Sequence, residues 1–185
     1  RFWYAGFERT LRGKNFFQPD GDCVEFYFQK LSETESVAAL HPALRRNYAA
    51  ALQDDAQQTL NAWLKTSQEV SLQAVATERL TKKVLTEKIR TFPRCLDRAA
   101  ELLGSKHYMY AALKARQYFF EGFLLANFNK NLNTELGGQA LALFRQSLGW
   151  QPEQPQVYWQ MSKVYGWNFL QPDSLEYYAR RALAI

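Results

Sequence analysis

Two residues of the sequence could form a catalytic pair, because Cys95 and His107 would give a thiolate activated by an imidazole. Such a pair also needs a group that orients the histidine, and no neighbour of His107 supplies one. Cys95 follows Pro93 at the start of a predicted helix, which is typical of a structural thiol. The sequence contains no G-x-x-x-x-G-K-[ST], G-x-S-x-G or H-E-x-x-H motif, and no caspase-type signature surrounds either cysteine. We therefore expect no enzymatic activity.

Metal and cofactor sites are not expected either. The only histidines are His41 and His107, and the only cysteines, Cys23 and Cys95, lie far apart and form no C-x-x-C pair. The simplest interpretation is two half-buried thiols. Their small number favours a reducing compartment such as the cytoplasm, although it does not decide the localisation.

Positive charge is concentrated in the middle of the sequence. The chain has a net charge of +5, and residues 79–116 contain ten Lys or Arg but only three acidic residues. A solvated helix face is the usual origin of such a run. An acidic partner is the second interpretation. Nucleic acid is the third, because no recognition motif accompanies the charge.

Composition favours a helical protein that does not enter a membrane. Hydrophobic residues make up 47% of the 185 residues, whereas only 9 Gly and 6 Pro are present, too few for many turns. The longest apolar run, residues 118–128, is too short for a bilayer and contains Glu121. Because the sequence begins at Arg1 and stops inside a helical pattern at Ile185, we expect a portion of a longer protein.

Helical periodicity organises the chain into paired helices that form a single helical-repeat domain over residues 1–185. The predicted hairpins cover approximately residues 1–31, 41–66, 70–104, 106–149 and 155–185.

Local signals set the predicted ends of these helices. Within residues 41–66, Asp54 or Asp55 should cap the second helix. Pro93 should end one helix or open the next, and Gly104 should terminate the helix that follows Pro93. Residues 24–28 alternate and could instead form a strand. A long loop is predicted over 129–137, with the next helix beginning near Gly138.

Residues 138–185 carry the most specific pattern. Small and aromatic residues recur at helical spacing along two helices: Ala140, Phe144 and Ser147, then Pro152, then Tyr158, Met161, Ser162 and Tyr165. This order resembles the tetratricopeptide repeat. Elsewhere the hairpins are spaced unevenly, against a repeat of about 34 residues, so the middle of the chain is expected to be an irregular helical bundle.

The tetratricopeptide resemblance implies a peptide-binding groove, lined by the first helix of each pair. The inward position corresponds to Lys163 in the fifth pair, Arg116 in the fourth, Arg46 in the second and Arg9 in the first. A ladder of these cations would hold the carboxylates of an acidic peptide, and Trp159, four residues before Lys163, would form an apolar wall. The alternative is that they are ordinary exposed cations and that Trp159 covers a hydrophobic edge.

A second resemblance concerns residues 96–126, which look like helical segments that accompany caspase-like peptidase domains in some bacterial proteins. It implies an accessory module beside a peptidase that this sequence does not contain. We predict a non-catalytic scaffold that binds a peptide or a neighbouring domain in cis. The alternatives are a regulatory domain of a larger enzyme and nucleic-acid binding through the basic segment.

Overall fold

Every regular element in the described part of the chain is a helix. The computed structural model describes residues 2–18, 21–68, 87–128 and 134–185, and no strand occurs in these ranges. The elements are α1 (Phe2–Arg12), α2 (Val24–Ser32), the 3-10 helix η1 (Glu35–Leu40), α3 (His41–Gln68), α4 (Phe92–Leu103), α5 (Tyr110–Phe128), α6 (Thr134–Trp150), α7 (Pro155–Trp167) and α8 (Pro172–Leu183). The all-α prediction is confirmed, and residues 24–28 are helical. None of the helices in these ranges is both long and apolar enough to cross a bilayer.

The chain divides into two compact units, and the single helical-repeat domain over residues 1–185 stays a prediction. The first unit contains residues 1–91 and 98–107, and the second contains residues 92–97 and 108–185. Each unit is described by itself below.

The first unit is built around a buried tyrosine. Helices α1 and α2 pack together, as predicted for the hairpin over residues 1–31. The phenol ring of Tyr48, on α3, is buried among three phenylalanine rings. Its centroid lies 6.3 Å from that of Phe7, 5.6 Å from that of Phe28 and 6.2 Å from that of Phe16. This aromatic cluster joins the hairpin to α3.

The hairpin predicted over residues 41–66 is wrong, because α3 is one continuous helix from His41 to Gln68. No glycine or proline interrupts the sequence between Ala43 and Gln68, so nothing breaks the helix. Asp55, predicted as a possible cap, instead binds cations from other parts of the first unit. Its carboxylate lies 3.0 Å from the Lys14 ammonium and 3.9 Å from the Lys88 ammonium.

Helix α4 begins and ends as the sequence indicates. Pro93 lies in the first turn, where its missing N–H costs no hydrogen bond, and Gly104 ends the helix with a φ of +79°. The partner helix predicted for this hairpin spans residues 68–91, of which 69–86 lie outside the described residues.

The second unit contains the two hairpins predicted most specifically. Helix α5 packs on α6, and α7 packs on α8. Phe144 is 0% exposed and Tyr158 is 7% exposed, so the apolar stripes of residues 138–166 form the core as predicted. Helix α6 begins at Thr134 and not near Gly138, so residues 134–137 of the predicted loop are helical. Gly137 is buried, and a Cβ atom added to it would lie 2.9 Å from the Asn168 side chain.

Helices α5 and α6 approach closely where their facing residues are small. A Cβ atom added to Gly122 would lie 2.8 Å from the ring of Phe144. Close by, the Ser147 hydroxyl donates a 2.7 Å hydrogen bond to the Ala115 carbonyl of α5. The small residues of the sequence pattern therefore lie at a helix–helix contact.

Stacked tyrosines fix α8 onto α7. The rings of Tyr165 and Tyr178 are nearly parallel, at 4°, with centroids 5.1 Å apart. The Arg181 guanidinium lies 5.0 Å from the centroid of Tyr158, as a cation–π contact. One face of α7 is thus held in the core, and the residues of the opposite face lie at the surface.

Candidate binding surface

The exposed face of α7 carries two tryptophans with a lysine between them. Trp159, Lys163 and Trp167 follow one another at four-residue spacing, which places neighbours of the series side by side on a helix. The indole of Trp159 is 53% exposed and that of Trp167 is 62% exposed. Large exposed aromatic residues are characteristic of interaction sites. We call these three residues the α7 stripe.

Lys163 lacks an acidic partner within the described residues, because none of their ion pairs includes it. Its ammonium lies 5.2 Å from the ring centroid of Trp167, a cation–π contact. Its other polar contact is a 3.5 Å hydrogen bond to Oδ1 of Asn127, on α5. The positive charge is therefore held in place without being neutralised by a carboxylate.

Amide groups lie beside the lysine. Nδ2 of Asn127 donates to the Phe123 carbonyl at 2.9 Å and, more weakly, to Oε1 of Gln160 at 3.4 Å. Asn127 is exposed, and Gln160 is half-buried on α7. Side-chain amides offer both donors and acceptors. The N–H and C=O groups of a bound polypeptide could therefore replace the 3.4 Å bond between Asn127 and Gln160 and the 3.5 Å bond between Asn127 and Lys163.

The structure does not bring Arg116 next to Lys163. Arg116 is exposed on α5, eleven residues before Asn127, which corresponds to about 16 Å along the helix axis. Lys163 contacts Asn127 instead. Arg116 thus lies about three helical turns from the residue that Lys163 contacts, and the ladder of cations stays a prediction.

The other two predicted cations belong to the first unit. Arg9 is already engaged, since it forms an ion pair with Asp22 and donates a 3.2 Å hydrogen bond to the Tyr27 hydroxyl. The Tyr27 hydroxyl in turn donates to Asp22 at 2.8 Å, and this bond raises the pKa of Tyr27. Arg46 is exposed on α3 and has no ion pair within the described residues. Of the two, Arg46 remains available to a ligand.

One arginine of the basic segment has a structural role. Arg98 donates to both oxygens of Glu25, at 2.6 and 3.0 Å, and to Glu101 at 2.8 Å. Burial alone would lower the pKa of Arg98, but the hydrogen bonds to Glu101 and Glu25 raise it. The Tyr48 hydroxyl donates to Glu25 at 3.0 Å. The positive charge of Arg98 is therefore paired with carboxylates inside the first unit.

Other cations of the segment are paired in the same way. Lys114 lies 2.8 Å from Asp97 within the second unit, and Lys88 and Arg90 each have a carboxylate within 3.9 Å. Residues 79–86 of the segment lie outside the described residues. Its described cations thus provide less free charge for phosphates than the sequence suggests, and nucleic-acid binding stays a prediction with less support.

Both members of the candidate catalytic pair are described, and the expectation that they are structural stays a prediction. Cys95 is buried on α4, and His107 is half-buried between α4 and α5. Cys23 is also buried, so both thiols are more fully buried than the half-buried thiols that were predicted. Within the described ranges, no three His, Cys, Asp or Glu side chains group as metal ligands.

Sequence reasoning found Trp159 and Lys163 but missed Trp167 and Asn127. Trp167 repeats the four-residue spacing and was visible in the sequence. Asn127 was not, because its position depends on how α5 and α7 are aligned. Comparisons with protein-family models, curated proteins and solved structures found no match. The tetratricopeptide resemblance therefore stays a prediction, and the α7 stripe is the strongest guide to function.

Proposed function

We propose that the chain is a non-catalytic scaffold, similar to tetratricopeptide proteins, that binds an extended acidic segment of a partner protein on the α7 stripe. The observation that carries this proposal is Lys163, a cation without a carboxylate partner among the described residues, set between two exposed indoles.

The chemistry of the stripe suits a carboxylate flanked by apolar groups. A ligand carboxylate would form an ion pair with Lys163, whose present 3.5 Å hydrogen bond goes to the neutral amide of Asn127. The indoles of Trp159 and Trp167 would exclude water from this bond and so strengthen it further. Apolar groups of the ligand would cover the indole faces.

Fluorescence anisotropy with two pools of labelled peptides tests the proposal. The pools share length and apolar content, and one contains Asp and Glu where the other contains Lys and Arg. We expect the acidic pool to bind and Lys163→Glu to weaken its binding by about tenfold or more. Lys106→Glu is the matched control, because it makes the same charge change at an exposed lysine of the first unit.

Equal loss of binding in Lys163→Glu and Lys106→Glu would mean that only net charge matters, and the proposed surface would be abandoned. Failure of the acidic pool to bind the wild-type chain would have the same consequence. Circular dichroism of each variant verifies that its helices are intact.

A second candidate function is an accessory helical domain of a larger enzyme, as the resemblance to caspase-associated segments implies. The observation that favours it is the exposed apolar surface of the last helix and the residues after it, which includes Tyr177, Leu183 and Ile185. The encoding open reading frame tests this candidate. A peptidase domain beside this region would support it, and an open reading frame without one would refute it.

A further inference from the structure

We infer that the α7 stripe recognises a motif of defined spacing, in which an acidic residue has an apolar residue two positions before it and another two positions after it. This inference rests on the proposed function and adds the register of the ligand.

The spacing of the stripe matches an extended peptide. Four residues of α-helix rise about 6 Å, so Trp159 and Trp167 are separated by about 12 Å along the axis, with Lys163 midway. In an extended chain, side chains two residues apart share a face and lie about 6.6 Å apart. Three alternate side chains of a ligand can therefore face the three stripe residues in order.

The chemistry of each stripe residue assigns each ligand position. The central side chain meets Lys163, whose ammonium has no carboxylate partner among the described residues, so charge complementarity requires an acidic residue there. The outer side chains meet exposed indoles, so they are apolar. A shift of the acidic residue by one position would point it away from Lys163, because adjacent side chains of an extended chain face opposite sides.

The amides beside Lys163 favour an extended backbone. Asn127 and Gln160 share a 3.4 Å hydrogen bond, and Asn127 also contacts Lys163, so its amide lies beside the central ligand residue. An extended segment has unpaired N–H and C=O groups at that point, whereas a helical ligand has already satisfied them internally. Trp159 and Trp167 are eight residues apart, so their directions around the α7 axis differ by about 80° after two full turns. The segment must therefore cross α7 obliquely to reach both indoles.

Three labelled peptides of equal composition test the register. They carry Leu-Ser-Asp-Ser-Leu, the shifted order Leu-Asp-Ser-Ser-Leu, and the scrambled order Asp-Ser-Ser-Leu-Leu, within the same polar flanks. We expect the first to bind about tenfold more tightly than either of the others in anisotropy titrations. In Lys163→Asp, the preference should move to Leu-Ser-Lys-Ser-Leu, and Lys106→Asp should leave the original preference unchanged.

The outcomes separate this inference from the proposal beneath it. If all three acidic peptides bind equally and binding still depends on Lys163, the surface binds acidic peptides and the register inference is overturned. If none binds, both are overturned. If the chain alone self-associates in sedimentation and Lys163→Asp abolishes this association, a second copy occupies the stripe and the peptide motif is overturned.

Discussion

Replacing Gly122 by alanine inserts a methyl group where α5 packs closely against Phe144 and Ala140 of α6. The added Cβ atom would lie 2.8 and 2.9 Å from two ring carbons of Phe144 and 3.1 Å from the Ala140 carbonyl oxygen. Carbon atoms in favourable contact are about 3.5–4.0 Å apart. Phe144 is completely buried and cannot turn into solvent, so the helices would have to separate.

The expected effect is a difference between two opposing terms. Overpacking of a filled core costs about 1–3 kcal/mol. Alanine in a helix interior is more favourable than glycine by about 1 kcal/mol, which offsets part of that cost. Gly122→Ala should therefore lower the free energy of unfolding of the second unit by up to about 2 kcal/mol.

Gly138→Ala is the matched control for this prediction. Gly138 also lies in a helix of the second unit, but no atom lies within 4 Å of its added Cβ. It should gain the helix-propensity term alone, so that urea unfolding followed by circular dichroism separates the two variants by about 1–3 kcal/mol. If Gly122→Ala stabilises the protein as much as Gly138→Ala does, the described contact between α5 and α6 is incorrect.

Two further predictions concern the first unit. Arg98→Ala should destabilise the first unit by about 1–3 kcal/mol in urea unfolding, because half-buried Glu25 loses the arginine that binds both of its oxygens. The exposed control Arg90→Ala should change stability by less than about 0.5 kcal/mol. Equal effects of the two variants would contradict the structural role of Arg98. Burial, and then the charge of Glu25, raise the pKa of Tyr48 above its ordinary value of 10.0. The stability that this shift provides is fully present below about pH 10 and is lost as the pH rises further. Tyr48→Phe should therefore reduce the alkaline loss of stability, measured by urea unfolding at a series of pH values. An unchanged dependence of the unfolding free energy on pH would refute this assignment.

The fold was most predictable where local pattern and tertiary packing agree. The stripe of Ala140, Phe144 and Ser147 predicted a helix that buries one face, and all three residues are buried. Their spacing contains the required information, because a helix with one apolar face is stable only against a neighbour. Pro93 and Gly104 likewise defined the ends of α4 through backbone geometry alone.

The continuity of α3 and the register of the binding surface were not accessible in this way. The pair Asp54–Asp55 has the composition of a helix cap, but Asp55 binds Lys14 and Lys88, which are distant in sequence. The position of Arg116 relative to Lys163 was not accessible for a related reason. A repeat alignment assumes a fixed offset between neighbouring helices, and only the packing of α5 on α7 determines which residues meet.

The central claim is that ligands bind on the exposed face of α7, and fluorine NMR of the chain labelled with fluorotryptophan tests it most directly. The 5 tryptophans give separate resonances, which single Trp→Phe variants assign. Addition of the Leu-Ser-Asp-Ser-Leu peptide should shift the resonances of Trp159 and Trp167 and leave those of Trp3 and Trp150 in place. Shifts confined to Trp3 or Trp150, with the stripe unaffected, would contradict the claim.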